Sequence, residues 1–132
     1  MSQSNVELVR RGYELVSQGD ARGLIDTIGP GFELHENILA PDAAVYHGAE
    51  GLQKWLEASL EAFADFHFEP EQFIERGDWV FAPVRAHGKG RASGAPFTGT
   101  YVTAFKFHAG KAVFAASYED LREALEAAGL SE

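Results

Sequence analysis

The sequence predicts an α+β domain, with three N-terminal helices on one face of a curved antiparallel sheet and a short helix at the C-terminus. Three observations predict it. Apolar residues recur at helical spacing in the first half, at Val6, Val9, Tyr13 and Val16 and again at Leu52, Trp55, Leu56, Leu60 and Phe63. The second half changes to the two-residue period of strands, most clearly at Tyr101, Thr103, Phe105 and Phe107. Turn formers separate those strands, at Gly77-Asp78 and Ala109-Gly110 and in the run Gly88-Lys89-Gly90-Arg91.

Each element has its own signal. Ser4 followed by Glu7 reads as a capping box for the first helix, and Gly19-Asp20 ends it. Asp20 caps a second, short helix through about Ile28, stopped by Gly29-Pro30-Gly31. A strand from Phe32 to Glu36 alternates Phe32 and Leu34 with Glu33 and His35. An irregular crossing with Asn37, Pro41 and Asp42 leads through Tyr46 and His47 to a third helix, about Ala49 to Ala64. The stretch FHFEPEQFIERGD holds a strand with Pro70 inside it, which predicts a sheet edge or a bulge there. Three longer strands follow as a meander. Asp120 and Glu123 then open the last helix, with Leu121, Ala124, Leu125 and Ala128 as its stripe.

Composition narrows the function. A chain of 132 residues without repeat or linker is one domain, residues 1–132, large enough for a core of its own. Lys and Arg number 11 against 20 Asp and Glu, a formal charge of −9, which argues against nucleic acid and anionic membrane as partners. There is no Cys, so thiol nucleophiles and thiolate metal sites are excluded together. The five histidines, His35, His47, His67, His87 and His108, show no metal-ligand spacing, and no metal is expected. No G-x-S-x-G supports a hydrolase triad, and the Gly88–Arg91 run lacks the strand-to-helix setting of a phosphate loop. The N-terminus has no signal-peptide core and no run reaches a membrane span, so a cytoplasmic protein is expected. Apolar residues on both sheet faces, with Val102, Ala104, Phe114 and Ala116 on one of them, predict a homodimer.

Within the stretch FELHENILAPDAAVYHGAEG, Glu36 shares a strand side with Phe32 and Leu34. A carboxylate on an apolar face is costly to bury without a partner. Glu36 is therefore the first candidate for chemistry, against the reading of a solvated or Arg-paired strand end. A bulge at the strand end would exchange Glu36 with His35.

The segments YELVSQGDARGLIDTI, GFELHE, YHGAEGLQKWL, RGDWVFAPVRAHGKGRASG, FKFHAGKAV and YEDLREALEAAGL, in this order, resemble the SnoaL-like branch of the nuclear transport factor 2-like superfamily. That branch includes polyketide cyclases, and ketosteroid isomerase is a more distant relative. The resemblance implies a cone-shaped sheet around a hydrophobic cavity, commonly in a homodimer packed through the sheet, and no cofactor. Ketosteroid isomerase pairs a carboxylate base with an oxyanion hole of Tyr and protonated Asp. Its base position falls on Glu36, its Tyr position on Gly12, one residue from Tyr13, and its Asp position on Thr103. The resemblance thus implies a base without that oxyanion pair.

On this footing Glu36, His47 and Tyr101 are the candidate catalytic residues. Glu36 would move a proton, and Tyr101 or His47 would polarise a ligand oxygen. Phe32, Leu34, His35, Trp55, Thr103 and Phe105 are the candidate ligand-binding residues; for Trp55 and Phe105, plain core packing is the competing reading. Two functions stay open. One is a cofactor-independent isomerase, cyclase or hydrolase acting on a small hydrophobic carbonyl compound. The other is a module that holds a hydrophobic molecule, or assembles as a dimer, without turnover.

Overall fold

The computed structural model describes residues 4–36 and 44–130. Ser4 caps α1 (Asn5–Gln18), its hydroxyl accepting from the Glu7 amide at 3.2 Å. Gly19 closes α1 in the left-handed region at φ 68°, a conformation that glycine adopts without steric cost. Asp20 caps α2 (Ala21–Ile25) by accepting from the Gly23 amide at 2.9 Å. This helix is shorter than its sequence signal, because Ile28 already pairs with Ala112. β1 accordingly runs Ile28–Glu36 and contains the Gly29-Pro30-Gly31 expected as a helix stop. Those residues break the ladder's register between Ile28 and Glu33, where Pro30 has no N–H to offer and Gly31 takes φ 76°.

The expected crossing with Asn37, Pro41 and Asp42 lies outside the described residues. Beyond it comes a strand without a sequence signal of its own, β2 (Ala44–His47), antiparallel to β1 with Leu34 opposite Tyr46. α3 (Gly48–Ala62) buries Gly51, Leu52 and Leu56, and it stops short of Ala64 because Phe63 pairs with Gly90. β3 (Phe63–Pro70) ends the sheet with Pro70 as its last residue, the edge position that proline tolerates. Its bulge lies instead between Ala64 and His67, where Asp65 takes φ 52°. β4 (Ile74–Arg76), β5 (Trp79–Gly90), β6 (Pro96–His108), β7 (Lys111–Tyr118) and α4 (Leu121–Ala127) complete the chain.

The strands form one curved, unclosed sheet in the order β2-β1-β7-β6-β5-β3, with β4 also beside β5. One pairing departs from the expected antiparallel pattern: β1 and β7 are parallel. The meander returns to β1 only after the chain has crossed over through α3, and such a crossover lets the two strands run the same way.

The two sheet faces carry separate cores. On the concave face, Val9, Leu15, Val16, Leu24, Leu52 and Leu56 from the helices pack with Phe32, Leu34, Val80, Ala82, Val84, Tyr101 and Phe107 from the strands. On the outer face, Ala124 and Leu125 of α4 cover Phe81, Val102 and Ala104. Part of the face expected to meet a second subunit is thus covered by the chain's own last helix. Among the described residues, no helix is long and apolar enough to cross a membrane.

Candidate functional site

The period-two alternation of β6 turns Tyr101, Thr103 and Phe105 to the concave face and Val102 and Ala104 to α4. β1 does the same with Phe32, Leu34 and Glu36. Over these strands α1 lays Leu8, Val9, Gly12, Tyr13 and Val16, and α3 lays Leu52 and Trp55. Together they enclose a cavity of about 110 Å³. An apolar cavity of roughly 150 Å³ admits benzene, so this one, somewhat smaller, takes a ring as its wall side chains shift.

Polar groups in the wall are few. Glu36 is the only carboxylate lining the cavity among the described residues. Its Oε2 accepts from the Trp55 indole Nε1–H at 2.6 Å, a short bond of the charge-assisted kind that locks both side chains. Pairing continues without interruption from Glu33 to Glu36 against β2, so no bulge exchanges Glu36 with His35. His35 points the other way, with Nε2 2.9 Å from Glu33 Oε1 and its ring 5.0 Å from Phe114.

Two phenols complete the polar set. Tyr101 is 9% exposed, and burial holds its hydroxyl well above its usual pKa of 10.0, with Tyr13 and the charge of Glu36 adding to the effect. The Tyr13 hydroxyl also lies deep, and burial raises its pKa despite a hydrogen bond with Thr103 that opposes the rise. Both therefore stay protonated at neutral pH and can donate to a bound oxygen. Aromatic edges frame them. The Tyr13 ring lies 6.1 Å from Phe68 and 6.0 Å from Phe105, and Phe68 lies 6.4 Å from Tyr101.

Of the residues singled out from the sequence, Phe32, Leu34, Glu36, Trp55, Tyr101, Thr103 and Phe105 come together on this cavity. His35 and His47 do not line it. His47 is exposed and stands opposite Glu33, on the outward register of β1, while its neighbour Tyr46 opposes Leu34 and packs against the main core. His47 occupies the N-cap position of α3 but makes no capping bond. Tyr13, on the apolar stripe of the first helix and not among the candidate site residues, also lines the cavity. The signal was present, because Tyr13 lies one turn from Val9 on the stripe that faces the sheet.

The remaining histidines form no centre. His67 and His87 face each other across β3 and β5 with ring centroids 5.2 Å apart, and His87 bonds Glu69 at 3.1 Å. Among the described residues no group of three or more His, Asp or Glu side chains is placed to hold a metal ion.

A curved sheet with three helices on its concave face, closing over an apolar cavity that holds the Glu36 carboxylate, defines a small pocket-bearing α+β protein. The SnoaL-like domain matches residues 9–115, and the chain belongs to that family, within the nuclear transport factor 2-like superfamily. Solved structures agree on the fold. A Catenulispora acidiphila protein with a ketosteroid isomerase-like fold, determined with trimethylamine, has a TM-score of 0.79 at 16% identity, over 96% of this chain and 95% of that one. TerC, co-crystallised with polyporic acid, has a TM-score of 0.77 at 20% identity over 88% and 91%. A Shewanella putrefaciens chain provisionally named a SnoaL-like polyketide cyclase has 0.71 at 16% identity over 85% and 86%. No curated protein matches the sequence.

Proposed function

We propose that the protein binds a small hydrophobic carbonyl compound in its cavity and that Glu36 moves a proton on it, without a cofactor. The carrying observation is a cavity carboxylate, the only one among the described residues, set among aromatic walls and two protonated phenols. Glu36 takes a proton from the carbon beside the carbonyl, the developing enolate oxygen accepts from Tyr101, and the proton returns to the same or a conjugated carbon. No atom is gained or lost. Tyr13, bonded with Thr103, is the second donor available to that oxygen. Trp55 holds Oε2 of Glu36, and Oε1 is the oxygen assigned to the substrate. That structures in this fold were determined with small organic molecules supports the class of ligand.

One observation favours binding without turnover. Oε2 of Glu36 is already held by Trp55 at 2.6 Å, as in a carboxylate that serves to fix the cavity wall. Deuterium exchange beside the carbonyl of 2-tetralone, an apolar bicyclic ketone, separates the two. Wild-type protein is expected to catalyse the exchange, and Glu36→Gln to lose it by at least about 100-fold, as for other general bases, while still binding the ketone. Binding without exchange in the wild type, or equal exchange in Glu36→Gln, leaves the binding module as the better account.

The same reading includes a homodimer. Beside the area that α4 covers, the rings of His35, Phe114 and Trp79 follow one another in tilted and edge contacts on the outer face, and Val45, 41% exposed, lies directly opposite His35. This apolar patch is continuous with the outer core. Sedimentation equilibrium at micromolar protein is expected to show twice the 14.4 kDa chain mass; a pure monomer refutes the dimer.

A further inference from the structure

Residues four apart lie above one another on a helix, so Leu8, Gly12 and Val16 form one row along α1. All three line the cavity. The middle of that row has no side chain, and a Cβ built at Gly12 meets no heavy atom within 4 Å. In the neighbouring row, Val9 and Tyr13 fill the wall. Gly12 is therefore a notch in the helix surface that faces the ligand space.

The notch is not required by the backbone. Gly12 lies inside a regular helix, and it is absent from the glycines that take positive φ, unlike Gly19 and Gly31. It makes no close approach either, in contrast to Gly51 and Gly88, where a Cβ falls 2.8 Å from neighbouring backbone. In a helix interior glycine is the worst residue after proline, and alanine the best. A position that costs stability, relieves no clash and opens onto the cavity has its use in the cavity.

We infer that Gly12 sets the width of ligand the protein accepts, by letting the second ring of a flat bicyclic or larger ring system lie against the α1 backbone. This rests on the proposed ligand-binding role of the cavity and adds its substrate class. Gly12 is part of the wall of that cavity, so the space over its missing side chain adds to the room for a second ring, while a one-ring compound depends on it less. The ligand's oxygen faces Glu36 and Tyr101, and its far edge reaches α1 between Leu8 and Val16.

Phenol and 2-naphthol, both neutral at pH 7, are the paired probes, with affinities measured by fluorescence and calorimetry on wild type, Gly12→Ala and Gly12→Val. Valine is chosen because its branched Cβ cannot swing clear of the notch. The expected result is that Gly12→Val loses at least tenfold affinity for 2-naphthol and stays within threefold of wild type for phenol. Gly12→Ala is expected to melt a few degrees higher than wild type, while its affinity for 2-naphthol falls. Unchanged 2-naphthol binding in Gly12→Val overturns the inference, as does an equal loss for both probes or no 2-naphthol binding by wild type. A lower melting point for Gly12→Ala would also overturn it, by showing that the glycine serves the fold. None of these outcomes depends on proton transfer by Glu36, which the tetralone exchange tests separately.

Discussion

Tyr101 and Tyr13 place uncharged donors beside Glu36, and burial extends their uncharged range to higher pH. The same burial sets an alkaline limit on stability. The folded protein keeps phenol protons that the unfolded chain releases above its usual pKa of 10.0. Stability from this source is therefore complete below pH 10 and is lost as the pH rises further, by about 1.4 kcal/mol per pH unit for each such phenol. Tyr101→Phe is expected to flatten that decline, and Tyr101→Phe with Tyr13→Phe to flatten it more. Urea midpoints between about pH 9 and 11 check it. An identical fall in the double variant would mean that other groups drive the alkaline loss. Tyr118, raised by burial and by Glu123, supplies a residual slope.

At the scale of elements, α3 matters most to the site because it carries Trp55 to Glu36. The helix has no side-chain cap at its start and no basic residue in its last turn. Its end is secured from the β5–β6 hairpin instead. Arg91 Nε donates to Leu60 O at 3.0 Å and Nη2 to Phe63 O at 3.2 Å, while its amide donates to Ala62 O at 2.9 Å. These bonds satisfy carbonyls that a helix end leaves open. Arg91→Ala is expected to cost about 1 kcal/mol, the usual value for such bonds at an exposed position, seen as a lower urea midpoint. At the other end, a Cβ on Gly51 would lie 2.8 Å from the Tyr46 carbonyl carbon. Gly51→Ala is expected to destabilise by about 1–3 kcal/mol, because backbone must shift. A stabilised Gly51→Ala variant would show that β2 yields easily.

The whole molecule is a sheet with a job on each face. Its concave face is lined for a ligand and left incompletely filled, and its outer face is closed by α4 over Phe81, Val102 and Ala104. Leu125, 3% exposed, anchors that closure. Leu125→Ala is expected to cost about 2–4 kcal/mol by cavity formation. Since the cavity lies across the sheet, 2-naphthol affinity at a temperature where the variant is folded is expected to stay within about twofold of wild type, as distant sites act independently. A large loss of affinity in a folded variant would show that α4 shapes the cavity through the sheet.

Much of this was legible in the chain alone. Ser4, Asp20 and Asp120 announce their helices, and each bonds an N–H three residues on, because capping is a local interaction written in adjacent residues. The alternation of Tyr101, Thr103 and Phe105, and of Phe32, Leu34 and Glu36, likewise named the part of the cavity wall that β1 and the middle of β6 supply, since a strand's two faces follow from its period. What was not legible depends on residues far apart in sequence. The short AVYH strand has too few residues for a periodic signal and exists because β1 pairs with it. β1 begins at Ile28 because Ala112 is beside it, and their parallel pairing was invisible to local pattern. The unbroken pairing of β1 with β2 kept Glu36 rather than His35 on the cavity side and turned His47 outward. The place of Tyr13 in the wall, and the open space over Gly12, were decided only when α1 packed across the sheet. Sequence determines which faces are apolar; tertiary packing determines how completely a face is filled, and the cavity is the part left unfilled.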